Sequence, residues 1–148
     1  LPGEVKSVVM AGMGGDTMVQ VLSYDWIKAS SFDSFVFQPM SRPGALRGAL
    51  ARQGWILTDE KLVQQNHHFF NILVALPGGQ PYHLSPLELD IGPILLHQTD
   101  PAAQAYRQLF WRSYQRTRQS LIQSKTNRSN HLLKEVDSKL EALEVYLP

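Results

Sequence analysis

A short β-branched run that stops on glycines and passes straight into a helical pattern constrains this chain more than any other feature. Val5–Ala11 is strand-sized, Gly12-Met13-Gly14-Gly15 follows without a spacer, and Met18, Val21, Leu22 and Ile27 then recur at helical intervals. A strand of that composition suits the buried interior of a parallel sheet. A helix leaving it directly has to cross back to a second parallel strand, and such crossovers are right-handed. Phe35-Val36-Phe37 supplies that strand, and Gln38-Pro39 stops it. Asp16 or Thr17 is expected to cap the first helix and Ser41 the second, with Pro43 tolerated in the opening turn. Ala45, Leu46, Ala49 and Leu50 form the second helix's buried stripe, and Gly54 suits its C-terminal stop. Trp55–Val63 and Phe69–Leu76 then read as two strands joined through Gln64–His68 and paired antiparallel. The order strand, helix, strand, helix, strand, strand predicts an α/β fold of the doubly wound kind. Before Val5 there is no strand-helix-strand unit to complete such a sheet, and the chain opens on Leu1, so an upstream part is expected.

The pattern changes at Gly78-Gly79-Gln80-Pro81, which divides the chain into residues 1–79, a connecting segment 80–99 with a short helix, and 100–148. Asp100-Pro101 opens a long helix: the aspartate caps and the proline takes the first helical position. Its stripe is Ala103, Tyr106, Phe110, Tyr114, Thr117 and Leu121, and Asn127–Asn130 is expected to interrupt it. Leu133, Val136, Leu140, Leu143 and Leu147 alternate by three and four, a heptad seam that predicts a coiled-coil-like antiparallel helical hairpin. Net charge is only +1, yet from Pro101 to Lys134 no acid occurs among Arg107, Arg112, Arg116, Arg118, Lys125, Arg128 and Lys134. Such a block is either an electrostatic footprint for phosphate or a solvated helix face. Apolar residues make up 43% of the chain, an ordinary globular share, and no apolar run approaches a membrane span. The absence of cysteine excludes disulfides and thiolate metal sites and fits a cytoplasmic setting.

Ala11-Gly12-Met13-Gly14-Gly15 is the strongest local chemical signal. In open α/β sheets ligands bind beyond the carboxyl ends of strands, where this loop falls, and glycines let a flat ligand approach the backbone. A dinucleotide fingerprint needs a third glycine where Thr17 stands and an acid at the next strand end, where Gln38 stands. A purely structural tight turn is the plainer alternative. Gln38-Pro39-Met40-Ser41-Arg42 would set an amide and a rigid turn beside the glycine loop. His67 and His68 are strand neighbours that point to opposite faces, and His83, His97 and His131 lack partners at ligand spacing, so no metal is expected.

Together these two loops resemble those of the bacterial tRNA (adenine-22-N1)-methyltransferase family. The resemblance runs through Val8–Gly15, Phe37-Gln38-Pro39, Arg42, Leu46-Arg47, Leu50, Gly54-Trp55, Phe69–Ala75 and Gly92–Leu96, in order along essentially the whole chain. It implies the C-terminal half of a Rossmann-like methyltransferase sheet followed by the helical arm. The implied chemistry is methyl transfer from S-adenosylmethionine to adenine N1 in tRNA. Ala11 and Gly12 would face the cofactor, and Gly12, Met13, Gly14, Gln38 and Pro39 would line the adenine site. The family's first glycine-rich loop and ribose-binding acid would lie upstream, and Met40 stands where the family usually has Asn. Arg107, Arg112, Arg116, Arg118, Lys125 and Arg128 would contact tRNA. A non-catalytic module that binds RNA or protein through its helices is the alternative.

Overall fold

The computed structural model describes residues 3–124 and 126–148, which form two compact units, Leu1–Leu95 and Leu96–Pro148. In the first unit β1 (Ser7–Met13) leads through α1 (Gly15–Ser23) and the single turn α2 (Trp26–Ala29) to β2 (Ser34–Pro39). Next come α3 (Pro43–Arg52), β3 (Ile56–Gln65), β4 (His68–Leu76) and α4 (Pro86–Ile91). The four strands lie in the order β1-β2-β4-β3. β1 and β2 are parallel, whereas β4 runs antiparallel to both β2 and β3. The sheet is therefore mixed and the fold is α/β.

Local chemistry explains most boundaries. β1 continues through Gly12 and Met13, which sequence reading placed in the following turn; its register with β2 shifts between Ala11 and Met13, where Gly12 takes φ +75°. Gly14, in extended conformation, caps α1 without a side-chain bond, so neither Asp16 nor Thr17 is the cap. Arg42 rather than Ser41 precedes α3, again with no side-chain cap. At the other end of α3, Trp55 N–H donates to Leu50 O and Gly54 N–H to Ala51 O, a Schellman closure with Gly54 at φ +74°. β3 and β4 are joined at Asn66-His67, with Asn66 at φ +56°.

The core of this unit gathers Met10, Met18, Leu22, Phe35, Phe37, Leu46, Leu50, Trp55 and Leu73. Phe35 anchors it, stacked with Phe37 at 5.5 Å and tilted against Trp55 at 4.7 Å. Two expectations for this core change. Val21, although within α1, is 55% exposed while Met18 and Leu22 of that helix are buried; Ile27 is 88% exposed because α1 stops at Ser23 and Ile27 belongs to a separate turn. β1 is not an interior strand among the described residues: it lies at the sheet edge, and Val9 is 70% exposed.

Beneath the sheet lies a buried polar cluster. Arg47 on α3 donates through Nε to Glu60 Oε1 (2.7 Å), through Nη2 to Asn71 Oδ1 (2.9 Å), and through Nη1 to the carbonyls of Leu89 (3.1 Å) and Asp90 (3.3 Å). The other Glu60 oxygen accepts the amides of Ile94 and Leu95. Arg47 and Glu60 are both completely buried. A Cβ on Gly92 (φ +116°) would meet both Glu60 carboxylate oxygens at 2.6–2.7 Å, so only glycine fits there.

The second unit contains α5 (Pro101–Ser124) and α6 (Asn127–Glu144). Asp100 Oδ1 accepts the amides of Ala102 and Ala103, giving α5 its side-chain cap. Asn127–Asn130, expected to be a break, is the first turn of α6: Thr126 and Ser129 close a reciprocal capping box that starts the helix. Arg118 pairs with Asp137, Lys139 lies over the Tyr114 ring, and Arg107 reaches Tyr146 O. Residues further along α5 meet residues earlier in the following segment, so the two helices run in opposite directions. Leu143 is fully buried, whereas Leu133, Val136 and Leu140 are half-buried.

Candidate active site

The carboxyl ends of the parallel strands β1 and β2 lie side by side, and the loops beyond them are joined by hydrogen bonds. The Gly12 amide donates to Gln38 Oε1 at 3.3 Å, Met40 N–H to Met13 O at 2.9 Å, and Gly15 N–H to Ser41 O at 2.7 Å. The glycines of this turn do different jobs. A Cβ on Gly14 would stand 2.8 Å from Ser41 Oγ, and one on Gly15 would run into the Arg42 carbonyl. Both therefore permit loop-to-loop packing. Gly12 is different: the residue is exposed, its φ is positive, and a Cβ there would meet nothing within 4 Å. Open space lies before the Gly12 backbone at the end of β1.

Gln38 borders that space. Its carbonyl oxygen is fixed by Gly12, while its Nε2 donates to Met40 Sδ at 3.3 Å. A thioether is a weak acceptor, so this second bond is easily exchanged for a better one. Pro39 is buried, which holds the strand end rigid behind the amide. Across the loops, Arg42 Nη1 meets Asp16 Oδ2 at 2.9 Å, with side-chain exposures of 73% and 56%. Ala11, Gly12, Met13, Gly14, Gln38 and Pro39 are thus brought to one edge of the sheet. Ser41, Arg42 and Asp16 belong to the same end of the sheet; the sequence places Ser41 and Arg42 in the turn beside the glycine loop and offers Ser41 and Asp16 as caps, but assigns none of the three to ligand binding. The signal for Arg42 is conformational, a non-glycine φ of +49°, which sequence does not display.

The residues assigned to RNA contact divide by burial. Arg107 is only 4% exposed and donates to the carbonyls of Tyr146, Leu96 and Gln98 at 2.9, 3.3 and 2.7 Å. Burial lowers its pKa, with Asp100 pulling the other way. It ties the ends of the second unit together and is withdrawn from the phosphate-contacting set. Arg118 is about half-exposed and paired with Asp137 at 2.6 Å. Arg112, Arg116 and Arg128 are exposed, and Lys125 lies outside the described residues. No cluster of three or more metal-ligating side chains occurs among the described residues, and no helix among them is long and apolar enough to cross a membrane.

Residues 2–144 match the family model of the tRNA (adenine(22)-N(1))-methyltransferase TrmK. The chain belongs to that family. A candidate tRNA methyltransferase of Mycoplasma genitalium is 32% identical over 95 residues, a match covering 64% of this chain and 42% of the relative. The m1A22 tRNA methyltransferase TrmK of Bacillus subtilis superposes with a TM-score of 0.84 at 20% identity, over 99% of this chain and 65% of that one. A Streptococcus pneumoniae member, a candidate m1A22 methyltransferase solved with S-adenosyl-L-methionine, gives 0.74 at 23% identity, over 98% of this chain and 61% of that one. At such identities these two likenesses establish a shared fold. The TrmK match thus extends over both units, while the chain spans less than two thirds of the length of each of these relatives.

Proposed function

We propose that this chain is the part of a TrmK-type enzyme that presents adenine of tRNA for methylation at N1, with S-adenosylmethionine as donor. Family membership supports this reading. The observation that carries it is the open Gly12 backbone joined to the Gln38 amide at the adjacent ends of two parallel strands. When bound, the donor supplies an electrophilic methyl carbon. An added Cβ at Gly12 meets open space, so a flat group can lie against the bare backbone there. Adenine N1 is an in-plane lone pair and already nucleophilic, so the protein's task is alignment, which is worth several kcal/mol. Gln38, its oxygen held by Gly12, exchanges the Met40 sulfur for the edge of the base, and buried Pro39 backs it as a wall. Ala11 and Gly12 face the donor, while Gly12, Met13 and Gly14 line the base site. The base leaves its stack to reach them. Ser41 and Met40 then serve to hold the two loops together rather than to react.

On this reading, residues 1–79 are the C-terminal half of a Rossmann-like methyltransferase domain, residues 80–99 connect it onward, and residues 100–148 form a basic, coiled-coil-like helical arm. The edge position of β1 and the longer chains of the solved relatives support that division. Arg112, Arg116, Arg118 and Arg128 on the arm, with Lys125 between them in sequence, contact tRNA phosphate, and the setting is cytoplasmic. In the whole protein, Gln38→Ala should lower the methylation rate by roughly 10- to 100-fold, the loss of one well-placed hydrogen bond, with the fold retained. Single-turnover methyl transfer alongside circular dichroism measures this. Unchanged transfer by a folded variant would remove Gln38 from the site.

A further inference from the structure

Arg42 is the one member of this loop cluster whose side chain is both charged positive and largely exposed, and its backbone is costly. A bulky residue at φ +49° is an outlier, and the following Pro43 restricts the preceding residue further. The backbone path itself is demanded by packing, since Ser41 O accepts Gly15 N–H and the Arg42 carbonyl lies against Gly15. Glycine would meet that demand with less strain. The arginine is therefore explained by what its guanidinium does.

That guanidinium meets Asp16 at 2.9 Å, but with both side chains more than half exposed the pair contributes little to stability. An exposed pair of this kind is readily exchanged for a doubly hydrogen-bonded oxyanion, which the planar guanidinium fork fits better than a single carboxylate contact. Arg42 stands on the loop that follows β2, and that loop is bonded through Ser41 O to the Gly15 amide just beyond β1, so an oxyanion held there belongs to a ligand at these two strand ends. We propose that Arg42 is a substrate-binding residue that leaves Asp16 to grip the phosphodiester beside the flipped adenine, and that Asp16 holds it in place while the site is empty. This rests on the tRNA-methylating reading above. The donor's own carboxylate is the other oxyanion within the same chemistry, and the test separates the two.

The pair makes opposite predictions for its two members. In the whole protein, Arg42→Gly should keep the melting temperature and the affinity for S-adenosylmethionine. It should weaken tRNA binding roughly 10- to 100-fold, the span of one charge-assisted contact, and reduce the salt dependence by about one phosphate. Arg42→Lys should recover part of the loss. Asp16→Asn should bind tRNA as tightly as the wild type or more tightly, because it removes a competitor for the guanidinium. The proposal is overturned if Arg42→Gly binds tRNA with unchanged affinity and slope, if it weakens the donor instead, or if Asp16→Asn weakens tRNA as much as Arg42→Gly does. The last result would make the pair a structural clamp. None of these readouts is methyl transfer, so its absence in the wild type would count against the proposed function and not against Arg42.

Discussion

Arg107 and Arg112 stand on the same helix, little more than one turn apart, and burial alone gives them different work. Arg107 directs its donors to three backbone carbonyls, while Arg112 points its charge at solvent. Spacing places Arg107 four residues after Ala103 and three before Phe110, on the apolar stripe, and Arg112 off it, but the carbonyls that Arg107 bonds could not be read from the sequence. The same limit applies to Arg47, whose role became visible only when Glu60 and Asn71 were placed beside it. A buried pair of this kind is expensive to break from one side. Glu60→Gln should cost about 3–5 kcal/mol in denaturant unfolding, and Arg47→Met with Glu60→Leu should cost less than the sum of the single changes. A Glu60→Gln loss under about 1 kcal/mol would mean that the cluster is not a structural anchor. Tyr82 carries a pH dependence. Its hydroxyl donates to Trp55 O at 2.8 Å, and burial raises its pKa above the usual 10.0, with the Leu57 backbone opposing and Glu60 adding to the rise. A raised folded value means the contribution is complete below the unfolded pKa and is lost as pH rises through the folded one. Stability should therefore fall on the alkaline side of about pH 10, and Tyr82→Phe should flatten that part of the profile. An alkaline slope identical in wild type and Tyr82→Phe would assign the effect elsewhere.

Elements were legible where their signals are local. The Gly54 closure, the Asp100-Pro101 start and the tight turn between β3 and β4 all depend on residues within a few positions of one another. Caps were less legible, because Gly14 and Arg42 take their conformations from packing between two loops distant in sequence. Asn127–Asn130 misled for a related reason: Asn disfavours helix interiors, but the Thr126–Ser129 box makes this turn a beginning. The heptad seam is likewise only partly a core, with Leu143 sealed and its companions half-covered. For the proposed arm, the exposed arginines are the ones to test. Replacing Arg112, Arg116 and Arg128 with Gln in the whole protein should reduce the slope of log affinity for tRNA against log salt by roughly 2–3. Stability should stay close to wild type, since Gln and Arg have similar helix propensities. Arg107→Gln should do the reverse, lowering stability through lost carbonyl contacts. Equal salt slopes for the triple variant and wild type would leave the arm a solvated face.

At the scale of the whole molecule, the α/β class followed from the alternation of strand and helix patterns, but the strand order did not. β4 enters between β2 and β3 through pairings such as Val36 with Val74, which join residues far apart in the chain. The edge position of β1 was equally hidden, since a run of Val8, Val9 and Met10 reads as interior whether or not a neighbour covers it. The glycine loop and the Gln38 turn could each be found in sequence, while the bond between them required the parallel register of β1 and β2. That bond is the basis for the central claim, that this chain holds the adenine end of a tRNA-methylating site. Mass spectrometry of nucleosides from unmodified tRNA incubated with the whole protein and S-adenosylmethionine tests it most directly. The account predicts N1-methyladenosine with wild type and its loss with Gly12→Val, which strains the positive-φ backbone and fills the open space before it. Methylation at a different atom, or undiminished N1-methyladenosine with a folded Gly12→Val protein, would contradict it.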